Sequence, residues 1–170
     1  MRREWLGSVV LGIGLVLAAT STGAQPPGAP APPPTMPYGA PITLEQAKKV
    51  MAGAEAEATK NNWNVVITIL DSGGNLVMTH RMDGAQFGSI EVAREKAYTS
   101  VAFRRPSKVF EDGVAQGGVN LRILRLSGAA PFEGGLPIIV DGKIIGAVGV
   151  SGVTSQQDGQ IARAGADALK

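Results

Sequence analysis

From Leu44 to Ala58 apolar positions recur every three or four residues, at Leu44, Ala47, Val50, Met51, Ala54 and Ala58, while Lys48, Lys49, Glu55, Glu57 and Lys60 fall mostly off that stripe. The period is helical. Thr43 and Gln46 stand at capping-box spacing and mark the start. The stripe is made largely of small side chains, so the helix is expected to lie close to a sheet. Trp63 to Leu70 is rich in β-branched residues and bounded by Asn61-Asn62 and Asp71-Ser-Gly-Gly-Asn75, which predicts a strand, a glycine turn and a returning strand from Leu76 to Met82. Alternation places Leu76, Met78, His80 and Met82 on one face of that return, and Val77, Thr79 and Arg81 on the other.

A second helical stretch opens at Ser89, with Ile90, Ala93, Ala97 and Val101 spaced for one face, and ends at Arg105-Pro106-Ser107, because proline cannot continue the ladder. Ser107 to Gln116 reads as one more short helix stopped by Gly117-Gly118. Val119 to Ser127 fits strand and helix equally, and Gly128 to Gly135 reads as loop. Asp141-Gly142 between Ile138-Ile-Val140 and Ile144 to Val150 is the strongest short hairpin signal in the chain. The second strand of that pair is nearly all apolar or glycine, as in a central strand covered on both faces. Gly146, Gly149 and Gly152 are spaced by three, unlike a dinucleotide-binding loop, and close approach of a neighbouring backbone is the simpler reason for them. Ser155 with Asp158 is read as the cap of a last helix carrying Ile161, Ala164, Ala168 and Leu169. Helix, hairpin, helices, hairpin, helix is the order of an α+β domain, a mostly antiparallel sheet with helices packed on it.

At 170 residues and 44% apolar, the chain suffices for one domain with a substantial core. Arg2 and Arg3 precede an apolar run from Leu6 to Ala19 and the small residues Thr22-Gly-Ala24, the pattern of a secretory signal peptide over residues 1–24. The run is shorter than the roughly 20 residues needed to span a bilayer. The expectation is therefore a periplasmic or secreted protein with no membrane span after cleavage. Eight of the eleven prolines fall within residues 25–41, so that segment is expected to be an extended, solvated arm ahead of a single domain at 42–170. With no cysteine, an exported chain has no disulfide, thiolate nucleophile or cysteine metal site. Without residues 1–24 the basic and acidic side chains number 14 and 13, and no basic tract tracks a phosphate backbone, which argues against nucleic acid as a partner.

Six blocks carry a resemblance: Asp71-x-Gly-Gly-x-Leu-Val, Arg81-Met-Asp-Gly-Ala85, Lys96-Ala97, Gly134-Gly-x-Pro-Ile138, Ile145-Gly-Ala-Val-Gly-Val-Ser-Gly152 and Gln157-Asp158. Together, and in this order, they resemble the GlcG/HbpS family from about Thr43 to Leu169. The resemblance implies a profilin-like sandwich that assembles into homo-oligomers, with some members binding haem and some linked to haem degradation or sensing. A related domain also occurs in some corrinoid adenosyltransferases.

On that footing the leading reading is an exported haem-binding protein with His80 as candidate iron ligand. Neutral imidazole ligates iron, and Met78 and Met82 on the same strand face would line the macrocycle. Arg81, Arg104 and Arg105 are candidate partners for the propionates. A lone histidine on an apolar face is, however, more often a hydrogen-bonded core residue. A second reading is a protein, or an accessory subunit of a complex, that binds a small anionic metabolite at the backbone of Gly152, Thr154 and Ser155 where the last helix begins. An enzyme is the weakest reading. There is no Gly-x-Ser-x-Gly elbow and no His-Glu-x-x-His, which leaves only His80 with Asp83 or Glu95 for acid–base work.

Overall fold

The computed structural model describes residues 35–170; the expected leader over residues 1–24 and residues 25–34 of the proline-rich segment lie outside them. Helix α1 (Leu44–Lys60) is followed by the hairpin β1 (Val66–Asp71) and β2 (Leu76–Arg81), then α2 (Ser89–Ala102) and α3 (Lys108–Gln116). A 3₁₀ helix (Gly118–Arg125), the hairpin β3 (Gly135–Val140) and β4 (Lys143–Ser151), and α4 (Ser155–Asp167) complete the chain. The four strands form one antiparallel sheet in the order β2-β1-β4-β3. This is the α+β sandwich that the alternation of helices and hairpins predicts.

Central strands β1 and β4 are buried on both faces, in keeping with their nearly continuous apolar sequence. On one face Ile67, Ile69, Val148 and Val150 meet α1 and α4. On the other, Val66, Leu70, Ile144 and Ala147 meet Ala93, Ala97 and Val101 of α2. Gly149 lies under α2, where a β-carbon would strike the carbonyl of Ala93 and the backbone of Ala97. The Asp141-Gly142 turn has φ of 49° and 71° at its two central positions, the left-handed pair that a type I′ hairpin requires.

Thr43 caps α1 through the expected box, with its hydroxyl accepting from the Gln46 amide and the Gln46 side chain accepting from the Thr43 amide. The small-residue face of α1, expected against the sheet, meets another helix as well. A β-carbon on Gly53 would lie 3.0 Å from the Ala164 carbonyl of α4, and one on Gly165 would lie 2.9 Å from the Val50 carbonyl of α1. On α2, Ile90 is exposed and the buried stripe runs instead through Ala93, Lys96, Ala97 and Ser100. The cap of α4 is Thr154 with Gln157, one residue before the expected Ser155 and Asp158. Residues 37–41, read as the end of a solvated arm, are hydrogen-bonded to the domain. The amide of Gly39 donates to the Ile144 carbonyl, that of Ile144 to the Pro37 carbonyl, and the Tyr38 hydroxyl to the Val101 carbonyl at 2.7 Å.

Asp71 organises the first hairpin. Its carboxylate accepts from the amides of Gly73 at 2.8 Å and Asn75 at 2.9 Å, and from the Asn75 side chain. Burial pushes this carboxyl up, but the bonds from Asn75 and Gly73 outweigh it and hold the group below its ordinary 3.8. A depressed folded pKa stabilises the fold at pH above the unfolded value, and that contribution is lost as pH falls through the folded value. Asp71→Ala should therefore cost about 1.5–3 kcal/mol at neutral pH. In urea unfolding, the gap from wild type should close as the pH is lowered below 4, and a gap independent of pH would contradict this role for Asp71.

Candidate functional site

β2 is an edge strand with only β1 as a neighbour, which decides what becomes of the only histidine. His80 pairs with Ile67 and Met78 with Ile69, so both project from the face covered by α1 and α4. Met78 and Met82 are half-buried against that core, but His80 meets Glu55 with its imidazole half in solvent. His80 is therefore not a core histidine. Its Nδ1 contacts the Glu55 carboxylate, which leaves Nε2 as the free ring nitrogen. Asn64, His80, Met82 and Asp83 line an open groove of about 310 Å³ here.

An imidazole oriented by a carboxylate at one nitrogen and free at the other is the usual arrangement of a metal-ligating histidine. With a thioether beside it, the donor set suits a haem iron better than a bare divalent ion. Among the described residues, no three His, Cys, Asp or Glu side chains converge as a metal site. The rim carries Asp83 and no cation, so the groove offers an iron ligand and an apolar contact but no counter-charge for propionates.

The remaining expected site residues lie elsewhere. Arg81 alternates to the opposite face, where its Nη1 donates to the Ala85 carbonyl at 3.3 Å. Arg105 follows α2, with Nε donating to the Phe103 carbonyl and its guanidinium over the Phe110 ring. Arg104 lies over Tyr38. Glu95 borders a separate groove of about 440 Å³ with Arg94, Tyr98 and Gly128. Glu55, the actual partner of His80, is invisible as such in the sequence because it lies 25 positions away.

At the start of α4 the Thr154 amide, one of the donors proposed for an anion, and the neighbouring Val153 and Gln157 amides are occupied from within. Val153 donates its amide to Asp158 at 3.3 Å, Thr154 its amide to the Gln157 side chain at 3.2 Å, and Gln157 its amide to the Thr154 hydroxyl. The Asp158 carboxylate is itself the resident anion of the Gly152-Val153-Thr154-Ser155 turn. It also accepts from Lys96 Nζ at 2.8 Å, and Lys96 donates a second bond to the Val150 carbonyl. Both side chains are almost fully buried. Burial pushes the Asp158 carboxyl above its ordinary 3.8 despite the pull of Lys96. The pair pins α2 to α4 across the end of β4. Lys96 falls three residues after Ala93 on the buried stripe of α2, and that spacing is the one signal in the sequence that it is buried.

A family model described as haem degrading protein HbpS-like matches residues 42–167. Protein GlcG of Escherichia coli K12 is 41% identical over 110 residues, which cover 65% of this chain and 81% of that protein. The crystal structure of HbpS superposes with a TM-score of 0.71 at 32% identity, covering 78% of this chain and 93% of its own. A crystal structure of PduOC in complex with haem superposes at 0.68 with 29% identity, covering 75% of this chain and 94% of that one.

Proposed function

The chain belongs to the HbpS-like family, and from that premise we propose that it is an exported haem-binding protein in which His80 Nε2 ligates the iron. The observation that carries the ligand assignment is the His80–Glu55 contact on an open edge strand, which engages Nδ1 and leaves Nε2 free on a residue that lines the groove. PduOC, a relative of the same fold, takes haem. Bound haem supplies redox-active iron, and the part of this chain is to orient the ligand. Glu55 would hold the ring, Met82 would offer an apolar wall, and Asp83 would add no cation for the propionates. A face this open covers one side of a macrocycle, which accords with a homo-oligomer in which a second copy covers the other. The leader-like residues 1–24 support a periplasmic or secreted setting, and no described helix is long and apolar enough to cross a membrane.

Titration of the purified protein with haem, followed at the Soret band, tests the reading. Wild type should saturate at one haem per chain. His80→Ala should shift the band and weaken binding by roughly tenfold or more, and Glu55→Gln should weaken it less. Binding identical in His80→Ala would remove His80 as the ligand, and no saturable binding by wild type would remove haem.

A further inference from the structure

Arg105 belongs to a different cleft. Between α3 and the 3₁₀ helix lies a groove of about 430 Å³ whose lining is Arg105, Val109, Phe110, Arg122, Ile123, Arg125 and Leu126. Four of these seven side chains are apolar, three are arginines and none is acidic. We propose that this cleft binds an amphipathic carboxylate, a molecule with a single acid head on an apolar chain. The proposal is independent of the haem reading and uses none of the residues around His80.

The local geometry separates the two chemistries. In a 3₁₀ helix residues three apart eclipse one another. Arg122 and Arg125 therefore form one ribbon, Ile123 starts the apolar one beside it, and Leu126 follows as the first residue past the helix. Gly113 on α3 lets the apolar ribbon close in, since a β-carbon there would lie 2.7 Å from the Ile123 methyl. Phe110, the only buried residue of α3, makes the floor, and the half-exposed Val109 and Leu126 make the walls. An apolar chain laid along this floor leaves water at little polar cost.

None of the three guanidinium groups reaches a carboxylate within 4.0 Å among the described residues, although other exposed cations nearby are paired, such as Lys108 with Asp112 and Glu133. Arg105 donates Nε to the Phe103 carbonyl and lies over the Phe110 ring, in the lining of the cleft. Like charges gathered on one short helix oppose each other unless an anion joins them. Guanidinium forks take a carboxylate in bidentate fashion. The apolar floor distinguishes this ligand from inorganic phosphate or a polynucleotide, and the volume is that of an ordinary small-molecule site.

Dansyl-undecanoate fluorescence on the purified full chain tests the proposal. Saturable binding at one probe per chain is expected, with dodecanoate displacing it at least about tenfold more effectively than dodecanol, the factor that one charge-assisted hydrogen bond supplies. Arg122→Ala and Arg125→Ala, both at exposed positions, should each weaken the probe by roughly five- to tenfold, and His80→Ala should leave it unchanged. Absence of saturation, equal displacement by dodecanol, or unchanged affinity in the double arginine variant would overturn the proposal. So would light scattering that shows an oligomer dissociated by the double variant, because the cleft would then be a contact between copies.

Discussion

Lys96→Met should destabilise the protein by about 3–5 kcal/mol, the cost of leaving one member of a buried ion pair without its partner. The substitution keeps the length and apolar stem of the side chain but strands the Asp158 carboxylate beneath α2 and leaves the Val150 carbonyl short of a donor. The sign of the pH effect identifies the cause. Asp158 already has a raised folded pKa through burial, so its protonated form favours the fold. That contribution is complete below the unfolded value and is lost as pH rises through the folded one. Loss of Lys96 raises the folded value further, so the variant should regain stability relative to wild type as pH falls from 7 toward 5. The double variant Lys96→Met/Asp158→Leu should recover much of the loss, because an apolar pair replaces the ionic one. Urea midpoints at the two pH values measure all of this, and a single-variant cost below about 1 kcal/mol would refute the buried-pair account.

Gly149→Ala should cost about 3 kcal/mol, the upper end of overpacking penalties, through a mechanism unrelated to charge. The added methyl points at the Ala93 carbonyl and the Ala97 backbone. Backbone cannot rotate out of the way as a side chain can, so α2 must lift from the sheet. That shift would also disturb Ala97 and Val101, which close the core on this face. Gly88→Ala is the control: nothing lies within 4 Å of its β-carbon, and its φ of −60° is ordinary, so the change should stay within about 0.5 kcal/mol. If thermal unfolding gave the two variants equal midpoints, the close approach of α2 to β4 would be wrong.

Local chemistry makes several elements legible without any tertiary contact. Thr43-x-x-Gln46 and Asp141-Gly142 act within a few residues of themselves, and each forms the cap or turn its residues favour. Where two local solutions compete, the choice is made at a distance. Thr154-x-x-Gln157 and Ser155-x-x-Asp158 both have capping-box spacing, but Lys96, 62 residues earlier in the chain, draws Asp158 inward and leaves the cap to Thr154. The sequence of the 3₁₀ helix is ambiguous for a different reason. It buries none of its residues, so no core imposed a strand or α-helical period on Val119 to Arg125. At the candidate site, alternation on β2 puts Met78, His80 and Met82 on one face as expected, but a register shift between Ile69 and Leu70 pairs Leu76 with Leu70 of the other face, and strand order decides that the His80 face lies at an open edge. No spacing rule brings Glu55 to His80 or joins Arg105 to Arg122 and Arg125.

The bridge of Tyr38 to Ile144 gives the domain a polarity. The described chain arrives beside the first residues of β4, whereas His80 lies level with Val150, the partner of Ile67 near the strand's far end. Six residues of strand separate the two levels, roughly 20 Å at the usual rise. A support, tag or fluorophore joined through the Tyr38 side would therefore hold one pole of the sheet and present the other to solution, so that immobilisation by that route leaves the imidazole open to an incoming ligand.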